Sequence, residues 1–323
     1  MFFIYCTKTE AFQMKHKLFP FSLISIFFFM LVKPNETFSG ASEGLLLWFQ
    51  IVLPTLLPFI IITNLLVRTN TMFYFSKCLS PILSPLFSIS PNGTFAMMTG
   101  FLCGYPMGAK VTADLVKSGK ISKNEGAYLL SFCNNTSPMF IMNYVVLKNL
   151  KHKELLFPSL MILLLSPILC SFLFRIYYLR NEKLHSHSSL SSPHLYFHFQ
   201  IWDNAIMNGF ELITKVGGYI ILFSVFITLL QELPCSAPLW KTFILPSLEV
   251  TNGIPMLLAS GLSFPFAFIC IMSLVSFGGF CSIAQTKCML EDTGLSIVSY
   301  IIEKLITTMV TSLLSFFYIY FIL

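Results

Sequence analysis

Four polar strings interrupt an otherwise apolar chain, and their residue types suit binding rather than bond-making. They are Cys103-Gly-Tyr-Pro-Met-Gly108, Asn134-Asn-Thr-Ser-Pro138, Glu249-Val-Thr-Asn-Gly253 and Ser276-Phe-Gly-Gly-Phe-Cys-Ser282. Apolar limbs flank each one, so each is expected at membrane depth. Hydrocarbon offers freed backbone groups no hydrogen bonds, so such breaks persist only where they line a cavity or hold something. Helix N-termini at the breaks present N–H donors and partial positive charge to an anion. Gly104 and Gly108 permit the first turn, while Glu249, Thr251 and Asn252 form the second tip. Across them, Asn134, Asn135, Thr136 and Ser137 are expected to face Ser276, Ser282 and Gln285. Glu249 would accept a substrate hydrogen bond or hold a coupling proton or cation. Lys110, just past the first tip, would pair with a substrate carboxylate or with Glu249, because an intramembrane charge marks function by default.

Other chemistries find no support. His185-x-His187 and His194-x3-His198 have metal-compatible spacing, but no cysteine or carboxylate cluster completes a site, so they read as a solvated linker. The nine cysteines lie singly with no C-x-x-C pair, which removes zinc and redox motifs. No nucleophile elbow, P-loop, zincin helix or dinucleotide fingerprint is present. The expectation is a protein with no enzymatic activity, no catalytic residue, no metal and no cofactor, a coupling proton or Na+ being left open.

The elements that must position these strings follow from composition. Of 323 residues, 55% are hydrophobic and 11% charged, the latter under half of the roughly 25% usual in soluble domains. Such a chain cannot cover itself with a hydrated surface, so an all-α polytopic membrane protein is expected. The net charge of +6 comes from bases beside apolar segments. That is the bias of cytoplasmic loops, not a nucleic-acid surface.

Spans are expected at Leu18–Val32, Leu45–Val67, Gly126–Leu147, Leu155–Leu179, Val216–Leu233, Ser263–Gln285 and Leu295–Leu323. Residues 71–93 read as an interfacial helix and Trp202–Lys215 as a separate semi-polar one. Thr94–Ser118 and Thr242–Gly261 read as re-entrant hairpins, each limb too short to cross. A shift of 145 residues lays the first hairpin tip on the second, and Ser131–Ser137 on Ser276–Ser282. Loop charges then make the two hairpins enter from opposite faces, as inverted repeats require. The expected organisation is a basic N-terminal segment and first span at 1–40, a first repeat at 41–179, a Ser- and His-rich linker at 180–200 and a second repeat at 201–323.

At Thr99–Lys110 and Leu130–Met139 the chain resembles the sporulation integral membrane protein YlbJ family, and it does so again at Trp48–Phe59 and Ser276–Ala284. The resemblance implies two nucleoside-recognition Gate domains, an architecture like that of concentrative nucleoside transporters, and two inverted repeats. It implies movement of dipicolinic acid from mother cell to forespore, across the outer forespore membrane of an endospore former. Glu249–Asn252 resembles the acidic second-hairpin motif of those transporters, and Phe280–Ile283 their seventh-helix serine motif. Their first hairpin carries a Gln-Thr-Glu type tip, whereas this chain has Gly104–Lys110. An acid replaced by a base points to a small anion as the substrate. The alternatives are a nucleoside or nucleobase transporter and a non-transporting scaffold or signalling protein of sporulation. The expected partners are dipicolinate or a similar anion and the lipid bilayer, with no nucleic acid and an oligomer left open.

Overall fold

A computed structural model describes residues 20, 21, 23–69, 71–180, 199–232 and 239–321. These residues are all-helical, with no strand among them. Five helices or helix pairs are long and apolar enough to cross a membrane: Pro34–Arg68, Lys153–Tyr178, Phe199–Gln231, Phe264–Met289 and Ile297–Phe321. The polar linker, with its four histidines, lies outside the described residues except at Arg180 and at Phe199 and Gln200. Of the first expected span, residues 20, 21 and 23–32 are described, the last ten as the apolar helix α1, Leu23–Val32.

The second expected span is longer than its apolar run. Helix α2 (Pro34–Leu47) passes through a π-helical turn at Trp48–Val52 into α3 (Leu53–Arg68). The turn precedes Pro54, whose missing N–H breaks the regular ladder, and single π turns absorb such a defect. The semi-polar helix and the span expected at 202–233 are instead one helix, α10 (Phe199–Gln231). At 35 and 33 residues these two rods are each about 50 Å long, well beyond a hydrocarbon core of about 30 Å. They lie against one another, which keeps the polar turns of α10 helical. The indole N–H of Trp48 donates to the Ile213 carbonyl at 2.9 Å. At one end, the Lys33 ammonium meets both Glu36 and Glu232 at 3.2 Å.

The remaining elements follow the breakers in the sequence. Helix α4 (Met72–Phe87) occupies the expected interfacial stretch. Then α5 (Pro91–Cys103) turns at Gly104–Pro106 into α6 (Met107–Lys117). Ser90 caps α5 by accepting from the Gly93 N–H at 3.1 Å, and Ser122 caps α7 (Lys123–Cys133) through the Glu125 N–H at 3.0 Å. After a break at 134–137, α8 starts at Pro138–Phe140 and runs on as a π-helix over Ile141–Leu150. Helix α9 (Leu156–Tyr178) crosses uninterrupted. In the second half, a π turn at Trp240–Ile244 leads into α11 (Leu245–Leu248), which stops at Glu249 and resumes as α12 (Val250–Ala259). Helix α13 (Phe264–Phe277) stops at Gly278, α14 (Gly279–Met289) resumes, and α15 (Ile297–Phe321) closes the chain.

Candidate functional site

All four helix breaks meet at one internal cavity of about 40 Å³. Gly104 and Tyr105 come from the first hairpin, Thr136 and Ser137 from the break after α7, Glu249 and Thr251 from the second hairpin, and Gly278, Ser282 and Gln285 from the last break. Val52, Leu56, Val216 and Ile220 of the two long rods supply an apolar wall. That volume is room for about three waters.

Close backbone approach at glycine makes this convergence feasible. A Cβ on Gly100 would stand 2.0 Å from the Cys133 carbonyl oxygen, and one on Gly108 would stand 2.7 Å from the same atom. The end of α7 therefore lies directly on the first hairpin, and the Tyr105 N–H donates to the Asn135 carbonyl at 2.7 Å. The two halves are joined where the Thr136 hydroxyl donates to the Val275 carbonyl at 2.8 Å. Gly278, at φ +83°, turns the chain in a conformation that side chains disfavour.

Glu249 caps α12. Its carboxylate accepts from the Thr251 N–H at 3.1 Å, the Asn252 N–H at 2.9 Å, the Asn252 side-chain amide at 2.9 Å and the Thr251 hydroxyl. The positive end of α12 is thus matched by a buried acid. The N-termini of α8 and α14 also begin at the cavity, at Ser137 and Gly278, and no acidic side chain caps them. Ser137 caps α8 by accepting from the Phe140 N–H at 3.3 Å.

Of the thirteen residues singled out in the sequence, seven line the cavity: Gly104, Thr136, Ser137, Glu249, Thr251, Ser282 and Gln285. Gly108 packs instead against Cys133, Asn134 and Gly100. Asn134 is fully engaged in support, accepting from the Ala109 N–H at 3.2 Å and donating to Thr286 and Tyr300 at 3.0 and 2.9 Å. Ser276 accepts from Thr311 at 2.9 Å. Asn252 faces a different cavity, between α2, α8, α10 and α12.

Lys110 is not at the cavity, and its expected ion pair with Glu249 is not formed. Its ammonium lies 3.1 Å from Asp114, one turn along α6. Met107, Ala109, Val111, Thr112 and Ala113 are buried, which leaves positions 110, 114 and 117 on the outer face. The base nearest the breaks is instead Lys304 of α15, buried, with its ammonium 2.8 Å from the Asn135 side-chain oxygen. It also lies 5.9 Å from the centre of the Tyr300 ring. Beside it, buried Glu303 accepts from the Tyr178 hydroxyl. Sequence reasoning noted these charges as a polar start to the last span and gave them no role. The signal that could have found Lys304 was present, since a charge within a span needs a partner inside the protein.

Residues 49–153 match the Gate family model, described as nucleoside recognition. That interval holds the π turn, the first hairpin and the first interrupted span. The chain is also 27% identical to the sporulation integral membrane protein YlbJ of Bacillus subtilis (strain 168), with 88% of this chain and 79% of that protein covered. The chain resembles YlbJ along most of its length. The likeness to YlbJ and the five apolar crossings make it a multi-pass integral membrane protein. No solved structure matches it.

Proposed function

We propose that the protein is a membrane transporter of a small aromatic dicarboxylate, dipicolinate, moving it from the mother cell toward the forespore. The observation that carries this reading is the meeting of four broken helices at one internal cavity. Backbone freed from its ladder at membrane depth is stable only when buried in protein or lining a cavity, and transporters place substrate at such breaks. The two helix N-termini there without an acidic cap, those of α8 and α14, favour an anion, and Lys304 contacts Asn135 of the same break as Thr136 and Ser137. The likeness to YlbJ, a sporulation integral membrane protein, supports a setting in sporulation, and the outer forespore membrane is part of the proposal. On this reading the hairpin-and-broken-span units, α5–α8 and α11–α14, are inverted repeats.

The cavity is too small for a pyridine dicarboxylate, so loading it would require the four breaks to move apart. Two larger cavities offer routes to it. One of about 140 Å³ is lined by Lys123 and Glu303, and one of about 380 Å³ by Tyr144 and Lys148. Lys123 and Lys148 stand at opposite ends of the same interrupted span, α7–α8, with the central cavity at its break.

A second reading, transport of a nucleoside or nucleobase, is favoured by the Gate match and by Glu249, a carboxylate acceptor in the cavity wall. Uptake of labelled dipicolinate and labelled uridine into vesicles containing the purified protein decides between them. Saturable dipicolinate uptake with no uridine uptake is expected. Uridine uptake alone would replace the first reading with the second, and uptake of neither would leave a non-transporting scaffold.

A further inference from the structure

The largest of the three cavities, about 380 Å³, has the size of a small-molecule site, unlike the central one. It opens between α2, α8, α10 and α12. Its wall carries Lys148, Tyr144 and Gln50, with Glu43 at α2. The Lys148 ammonium lies 5.3 Å from the centre of the Tyr144 ring, and no carboxylate pairs with it among the described residues. A cation beside an aromatic face, with the Gln50 amide lining the same cavity, is chemistry for a planar ring bearing a carboxylate.

Only one layer of residues separates this space from the central cavity. Thr251 lines both. The Tyr144 hydroxyl donates to the Thr251 carbonyl at 2.5 Å, and the Asn252 amide donates to the Ser224 hydroxyl at 2.7 Å. These bonds pin the start of α12 to α8 and α10. The same turn holds Glu249.

We propose that this outer cavity is a second, staging site for a planar aromatic carboxylate, with Lys148 as its cation and Glu43 opposing it. The proposal rests on the transport reading above for the identity of the ligand. A carboxylate seated on Lys148 lies against Tyr144 and next to the Thr251–Asn252 layer. Release of the two hydrogen bonds there joins the staging site to the central cavity.

The test uses the full chain in vesicles, with Gln231→Cys as a reporter at the cavity wall, where no native cysteine lies. Alkylation of that thiol by a charged reagent is followed by peptide mass, with dipicolinate or pyridine present. Dipicolinate should slow the labelling and pyridine should not. Lys148→Gln should raise the concentration needed for half-protection about tenfold, as loss of one charge-assisted contact does. Lys148→Arg should restore most of it, and Glu43→Gln should lower the concentration needed. Equal protection by pyridine, or protection indifferent to both charge changes, would overturn the staging site. Dipicolinate uptake without charge-dependent protection removes this site and leaves the transport reading intact. Charge-dependent protection without uptake does the reverse.

Discussion

At the scale of single residues, two lysines separate an outer-face charge from a buried one. Lys304 gives its ammonium to Asn135, whose own backbone carbonyl holds the Tyr105 N–H of the first hairpin. Lys304→Met should therefore remove uptake and cost about 1–3 kcal/mol, since it strands a buried acceptor. Lys110→Met removes only a half-exposed pair with Asp114 and should cost under about 1 kcal/mol, with uptake kept. Thermal melting and vesicle uptake read both variants. Equal uptake by the two would show that Lys304 merely fills its pocket. Glu249→Gln gives a third check. One amide nitrogen then meets N–H donors where a carboxylate oxygen met them, so uptake should fall at least about tenfold while protein still accumulates in the membrane. Normal uptake by this variant would reduce Glu249 to a helix cap.

At the scale of elements, the first hairpin and α7 are fitted by absence of side chains. A methyl on Gly100 collides with the Cys133 carbonyl at 2.0 Å, and that carbonyl belongs to backbone that cannot rotate away. Gly100→Ala should lower the yield of folded protein and its melting temperature, by about 1–3 kcal/mol of overpacking. Gly218, with nothing within 4 Å of its would-be Cβ, supplies the control, and Gly218→Ala should be neutral or slightly stabilising. A melting temperature unchanged by Gly100→Ala would mean that the hairpin and α7 are not held this closely.

At the scale of the whole molecule, inverted repeats require the two hairpins to enter from opposite faces. Cysteines placed at Lys120 and Lys241 and probed with an impermeant reagent should label from opposite sides. Labelling of both from one side would exclude the inverted arrangement, leaving the four breaks at the cavity unaffected. The salt bridge from Lys33 to Glu232 fixes a further point, because it puts the start of α2 and the end of α10 on one face.

Much of this organisation is written in short-range pattern. Apolar runs, prolines and the four polar strings mark where helices start and stop, because those preferences act within a turn or two of the chain. The breaks at 104–106, 134–137, 249 and 278 therefore stand where the sequence puts them. The continuity of α2–α3 and of α10 was hidden, since a polar stretch looks like a helix end until a partner rod buries one side of it. The sequence also shows that Lys110 and Lys304 are both charges within apolar surroundings. Which of them faces the breaks depends on contacts such as Lys304 to Asn135, between residues 169 positions apart, and local pattern carries no information at that distance. Packing decides it: α6 keeps Lys110 on its outer face, beside Asp114 of the same helix, and α15 turns Lys304 into the protein, where the Asn135 side-chain oxygen accepts from it.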